Sequence, residues 1–373
     1  MDLKYYQSAI KSRLYTYMYE RRGYTTDRKI VVIESDDWGS IRMPSSKVFR
    51  EMVALNLDVV GRCYNENDSL ATKEDMSLLF DVLSGCKDKS GNSPKITANT
   101  CVANPDFEKI KASNFEKYFY EPFVETLKRY PNCSFDSWTE GIDQKVFIPQ
   151  FHGREHLNVE KWMQELQKGN PELRACFDLQ TWGIRYHNFQ EAVLEGFMVN
   201  SEKSIRLQKV ILQEGMHLFE EIFGYVSKSF IAPCYTWNPE LNETLKQIGV
   251  DILQGSYSQY LSKENQVTAT IHHYMGQKNE WGQTYLVRNC FFEPTQDHRL
   301  NKEYCLRGIE KAFKLKKPAI ISAHRLNFIG AIRPQNRDNN LRQFSALLQT
   351  ITKLWPDVEF MSSDKLGEIM LKE

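Results

Sequence analysis

The chain has 373 residues, 41% hydrophobic and 26% charged, which excludes disordered and collagen-like architectures and allows a sizeable core. Lys plus Arg and Asp plus Glu both number 48, so the formal charge is zero and no basic footprint for nucleic-acid phosphates is present. Mean hydropathy is −0.52, and no apolar stretch approaches the roughly 18 residues that a membrane span needs. The polar, tyrosine-rich start (MDLKYYQSAIKSRLYTYMYERRGY) has no apolar signal region, so a cytoplasmic location is expected. Eight dispersed cysteines without a C-x-x-C pair read as reduced thiols.

A helical extension is expected over residues 1–28. Beyond it, short β-branched runs alternate with helical patterns. The predicted strands are Ile30–Glu34, Ile96–Ala103, Val146–Phe151, Ser229–Ala232, Val250–Leu253, Ala319–Ala323 and Val358–Met361. Helices are predicted over Phe115–Arg129, Val159–Gln167, Glu202–Phe223, Pro239–Ile248, Lys302–Lys314 and Leu341–Leu354, with a turn-rich loop at Lys87–Pro94. Continuous rather than alternating apolar strands point to a parallel α/β sheet, and the absence of an internal boundary favours one (β/α) barrel over residues 29–373.

Polar residues fall at the ends of the predicted strands. Asp36-Asp37-Trp38-Gly39 follows IVVIES, His152-Gly153-Arg154-Glu155-His156 follows VFIPQF, Pro233-Cys234-Tyr235-Thr236-Trp237 follows SFIA, and His324-Arg325 follows AIISA. In a parallel barrel these ends share one face, which carries the active site. Two adjacent carboxylates repel when both are ionised in a partly buried site, a penalty that a divalent cation removes. The pair therefore suits one metal ligand beside one base, while ordinary turn chemistry accounts for it equally. Histidines four positions apart share a face if the segment is helical and suit a first-row ion, zinc above all. His324, near-neutral in reference pKa, is placed to act as an acid. The same five residues also spell H-x-x-E-H, the inverted zinc-protease motif with Glu155 as base.

At these residues the chain resembles the polysaccharide deacetylases, NodB-like members of carbohydrate esterase family 4 that remove N- or O-acetyl groups from sugars. Asp36-Asp37 looks like the family's T-F-D-D-G element, His152-x-x-x-His156 like its H-x-x-x-H, and Ser322-Ala323-His324 like its L-x-H. The order is the family's, and the likeness runs from about Lys29 to Ile369. It implies a distorted (β/α)7 barrel, one divalent metal (zinc) on Asp37, His152 and His156, Asp36 as base and His324 as acid. An acetylated carbohydrate would be the substrate, met by Trp38, Pro233, Cys234, Tyr235, Trp237 and Arg325, with a backbone N–H near Cys234 facing the oxyanion.

The chain departs from the pattern where the family has R-x-P-Y: Phe230-Ile231-Ala232-Pro233-Cys234 lacks the arginine that holds the catalytic carboxylate. Arg42, Arg154 and Arg325 are the possible substitutes. The D-x-x-D-W element that orients the catalytic histidine has no counterpart after Val250. Three alternatives stay open: a non-catalytic carbohydrate- or metal-binding protein, a glycoside hydrolase with paired carboxylates, and the inverted-motif protease. The sequence does not give the oligomeric state.

Overall fold

The longest strand, β1 (Lys29–Trp38), is buried along nearly its whole length and organises the fold. In this computed structural model, which describes residues 18–182 and 193–372, a nine-stranded parallel sheet grows out from it. The remaining strands are β2 (Ile96–Thr100), β3 (Phe147–Phe151), β4 (Ser229–Ile231), β5 (Ile252–Gly255), β6 (Thr284–Val287), β7 (Cys290–Phe291), β8 (Ala319–His324) and β9 (Val358–Phe360). Their order is β6-β5-β4-β3-β2-β1-β8-β7, with β9 paired to the first residues of β1.

The two outermost strands are consecutive in sequence. At Arg288 the chain leaves β6, still donating its N–H to the Gly255 carbonyl of β5, and Asn289 N–H then reaches the Ile320 carbonyl of β8. One kinked segment, Thr284–Phe291, thus lies on both edges of the sheet and brings the ladder round on itself. This is a parallel α/β sheet flanked by helices, and a single chain segment is the seam between its two edges.

Alternation along β1 sorts its side chains by layer. Val31 and Ile33 face outward, onto Leu79 and Leu83 of the helix Lys73–Ser84 and Leu347 and Leu348 of the helix Pro334–Leu354. Ile30 and Val32 face inward, where Leu366 and Met370 of the last helix, Ser363–Lys372, stop the strands' N-terminal end. Approach there is close: a Cβ on Gly367 would stand 2.2 Å from Ile252 Cδ1, so only glycine fits.

The predicted helix Phe115–Arg129 does not form. Asn114 and Phe115 are left-handed, Tyr120–Pro122 pairs antiparallel with Ala103–Pro105, and only Phe123–Lys128 is helical. Pro122, with no N–H and a ring that clashes one turn back, breaks the pattern. The strand predicted to run to Ala103 accordingly stops at Thr100. Most of the predicted N-terminal extension lies outside the described residues, as does His187. Among the described residues, no helix is long and apolar enough to cross a membrane, and all eight cysteines are free thiols.

Candidate functional site

The site begins with a break in the alternation of β1. Neighbouring residues of a strand point to opposite faces, yet Asp36 and Asp37 both line one cavity of about 440 Å³. Asp37 has a φ of 73°, and the register with β2 shifts between Ser35 and Trp38, so a bulge turns the second carboxylate back inward. Left-handed backbone at a non-glycine residue is costly and concentrates at functional sites. The same twist sends Trp38 outward.

Asp37 meets two imidazoles. Its Oδ1 stands 3.6 Å from His152 Nε2 and 3.4 Å from His156 Nε2, and one ligand atom from each of the three residues lies within 4.8 Å of the others. All three side chains are buried. The His152 Nδ1 is 2.8 Å from the Ile231 carbonyl, which can only accept, so Nδ1 carries the proton and Nε2 offers its lone pair. Asp37 Oδ1 and His152 Nε2 have no hydrogen-bond partner. Burial pushes His156 down to about 3, leaving it neutral. Burial opposes the charge on Asp37, but the positive field around it, the Arg42 guanidinium included, holds its carboxyl well below the usual range. Converging N, N and O donors, two of them without a hydrogen-bond partner, fit a divalent cation.

Asp36 is held quite differently. Arg288, wholly buried, grips it as a fork, Nη1 donating to Oδ2 at 2.7 Å and Nη2 to Oδ1 at 2.6 Å. Asn99 Nδ2 adds a bond to Oδ1 at 2.7 Å. Burial resists the charge, but the guanidinium wins and Asp36 stays below the ordinary carboxylate range. The remaining Arg288 N–H groups reach Glu34 Oε2 at 2.6 Å, the Tyr235 hydroxyl at 3.1 Å and Ser322 Oγ at 3.2 Å. Glu34 in turn accepts from Ser363 Oγ at 2.7 Å, and burial raises its pKa despite Arg288.

Across the cavity, His324 Nε2 lies 3.7 Å from Asp36 Oδ2, while its Nδ1 is 2.5 Å from Glu293 Oε1. Asn327 Nδ2 fixes the other Glu293 oxygen at 2.8 Å. Burial works against a charge on His324, but Glu293 outweighs it and raises the pKa to about 9.

Two residues that carry these roles escape the strand-end reading. Arg288, at the seam between β6 and β7, grips Asp36; Arg42, Arg154 and Arg325 do not. Arg154 is bound to Glu155 and Glu214 instead, and Arg325 to Asp68 at 2.7 Å. Glu293 orients His324, and its only sequence signal is an apolar run, CFFEP, ending in a carboxylate.

Of the residues expected around a substrate, Cys234 and Tyr235 line the cavity, on consecutive left-handed residues. Pro233 is buried beside them at the head of that turn. Trp38 packs on Trp138 and Phe147 at 1% exposure, and Trp237 stacks near His273 at 3% exposure, so neither presents a face to a ligand. Arg325, at 1% exposure, is likewise spent on its interior ion pair. Trp182 lies over His156, rings 20° apart.

The segment His152–His156 is not helical, and Gly153 has a φ of 99°. The Glu155 carboxylate takes bonds from Arg154 at 2.6 Å and Tyr118 at 2.9 Å and does not line the cavity. This removes the inverted-protease arrangement, which needs both histidines and the glutamate on one helix.

No protein-family model and no curated protein sequence matches the chain. Among solved structures, a 4-α-glucanotransferase from Thermococcus litoralis is similar at 11% identity and a TM-score of 0.45, over 91% of this chain. The chain spans only 40% of that enzyme's length. A protein described as a glycoside hydrolase/deacetylase from Parabacteroides distasonis is similar at 8% identity and a TM-score of 0.49, over 94% of this chain and 73% of its own. A polysaccharide deacetylase of Pseudomonas aeruginosa PAO1 is similar at 11% identity and a TM-score of 0.47, over 93% and 92% of the two chains. Two of the structural neighbours are described as polysaccharide deacetylases and another as a CE4 family pseudoenzyme, all at low sequence identity.

Proposed function

We propose that this chain is a metal-dependent hydrolase that removes acetyl groups from a carbohydrate. The observation that carries the reading is one cavity holding three separately tuned units: a buried Asp37-His152-His156 donor set, a carboxylate fixed by Arg288, and an imidazole charged by Glu293.

Asp37, His152 and His156 would hold the ion, with zinc the best match to two imidazoles and a carboxylate. When bound, such an ion polarises a carbonyl and makes water more acidic. The rest falls to the chain. Asp36, kept ionised and immobile by Arg288 and Asn99, is a proton acceptor, never a donor, at working pH. His324, raised to about 9, holds a proton at neutral pH and offers it from Nε2, the nitrogen facing Asp36. It is the acid for a departing amine or alkoxide. Glu293, on the far nitrogen, sets the ring's orientation. The left-handed turn at Cys234 and Tyr235 presents backbone to the cavity where an oxyanion could be received. Eight unpaired thiols suit a reducing compartment.

Acetate release from N- and O-acetylated sugars, measured with bound metal on the same samples, tests the reading. A folded, metal-loaded protein that releases no acetate from either class refutes it and leaves a carbohydrate- or metal-binding protein.

A further inference from the structure

Arg42 lines the same cavity, and beyond helping to keep Asp37 ionised it has no role in the chemistry above. Its guanidinium is 4% exposed, lies 4.4 Å over the Tyr64 ring and 5.8 Å from that of Trp182, and its backbone carbonyl is held by the Thr181 hydroxyl at 2.5 Å. The flat faces are thus covered by rings, leaving the N–H edges free to bind. Yet Nε has no hydrogen-bond partner, and the nearest carboxylate oxygens, of Asp68 and Asp37, stand off at 3.6 and 3.8 Å. A buried guanidinium is normally saturated with acceptors, because its desolvation is otherwise uncompensated.

Its two ionic partners have other claims on them. Asp68 already accepts from Arg325 at 2.7 Å, so it is shared between two cations. Asp37 belongs to the metal donor set, which draws on its charge as well. Arg62 adds a second cation to the cavity wall, nearer solvent and paired with Asp58. The guanidinium is held charged by these two carboxylates yet is stacked on aromatic rings and short of acceptors at hydrogen-bond distance, on the wall of a cavity large enough for a sugar.

We propose that Arg42 sets specificity: the acylated sugar accepted here carries an anionic substituent, carboxylate or phosphate, that bonds to the Arg42 guanidinium. This rests on the deacetylase reading for the sugar and, for the charge, on a guanidinium whose two ionic partners both stand beyond hydrogen-bond distance.

The test is calorimetric binding of three sugars to the full-length, metal-loaded protein: N-acetylglucosamine, N-acetylmuramic acid and N-acetylglucosamine 6-phosphate. At least one anionic sugar should bind ~10- to 100-fold tighter than the neutral one, as a charge-assisted bond to a buried arginine gives. Which of the two is preferred distinguishes carboxylate from phosphate. Arg42→Gln should bring all three to parity. Should that variant fail to fold, Arg42→Lys decides, because a compact ammonium lacks the planar fork and the preference must fall several-fold. Equal affinities in the parent protein overturn the proposal. So does a preference that survives substitution, which would place the attraction at the metal. Binding needs no turnover, so absent acetate release with an intact charge preference sinks the deacetylase reading alone.

Discussion

Replacing Arg288 with methionine should be among the most damaging single changes available to this chain. The guanidinium is fully buried and makes five hydrogen bonds, three of them to the carboxylates of Glu34 and Asp36. Methionine approximates its volume and removes its charge, leaving two acids in an interior that no longer compensates them. Breaking a buried ion pair from one side costs ~3–5 kcal/mol, a large share of an ordinary domain's stability. The two acids should not share the loss equally. Arg288 forks onto Asp36 and keeps it ionised, whereas Glu34 is bonded through Nε alone and already titrates above the ordinary glutamate range. Asp36→Asn should therefore recover most of the stability lost in Arg288→Met, with a coupling of ~2–3 kcal/mol, and Glu34→Gln much less. Urea denaturation of the two double-mutant cycles measures both couplings. A loss below ~1 kcal/mol in Arg288→Met would refute the argument, because a broken buried pair cannot cost so little. Equal coupling to both acids would refute the asymmetry.

Three further outcomes are expected. Asp37→Asn and His152→Ala should each lose bound metal together with activity, whereas Asp36→Asn should keep its metal and lose ~10²–10⁴-fold in turnover; metal analysis of the three purified proteins checks this. The His324 proton supports the rate below about 9 and is lost as pH rises through that value, so the pH–rate profile should fall on its alkaline side near there. Glu293→Gln should move that limb down toward the ordinary histidine range, and a limb that stays put means that another group is the acid. The same linkage stabilises the fold below the unfolded histidine value and fades as pH rises toward 9. Gly367→Ala drives a methyl to within 2.2 Å of Ile252 and should cost ~1–3 kcal/mol in thermal or urea unfolding, partly restored by adding Ile252→Val.

Much of the site could be read before the fold, for a simple reason. Parallel strands put their C-terminal ends on one face, so polar clusters after β1, β3, β4 and β8 had to meet once those runs were recognised as strands. Direction around a strand end is another matter. Asp37 and Trp38 are neighbours, and only the left-handed φ of Asp37 decides that the first faces the cavity and the second the aromatic packing of Trp138. No periodicity carries that information. Arg288 and Glu293 were missed because β6 and β7 are short and their segment bends between them, giving an apolar pattern too brief to score. Arg154 and Arg325 looked available because sequence shows charges but not the partners that occupy them. The Phe115–Arg129 helix failed on a residue in plain view, Pro122.

The seam has a consequence for how the molecule reaches its final form. Arg288 sits where the Thr284–Phe291 segment crosses from one edge of the sheet to the other, and Asp36 depends on it. Until those edges are brought together, the central carboxylates of β1 lack their counter-charge. The fork contacts span 252 residues of sequence, and the pairing of β1 with β8 and β9 spans more, so the site and the sheet depend on the same long-range closure. A chain whose edges stay apart would hold Asp36 without the guanidinium that keeps it ionised. Joining the two edges of the sheet and fixing the Asp36 carboxylate are then one event.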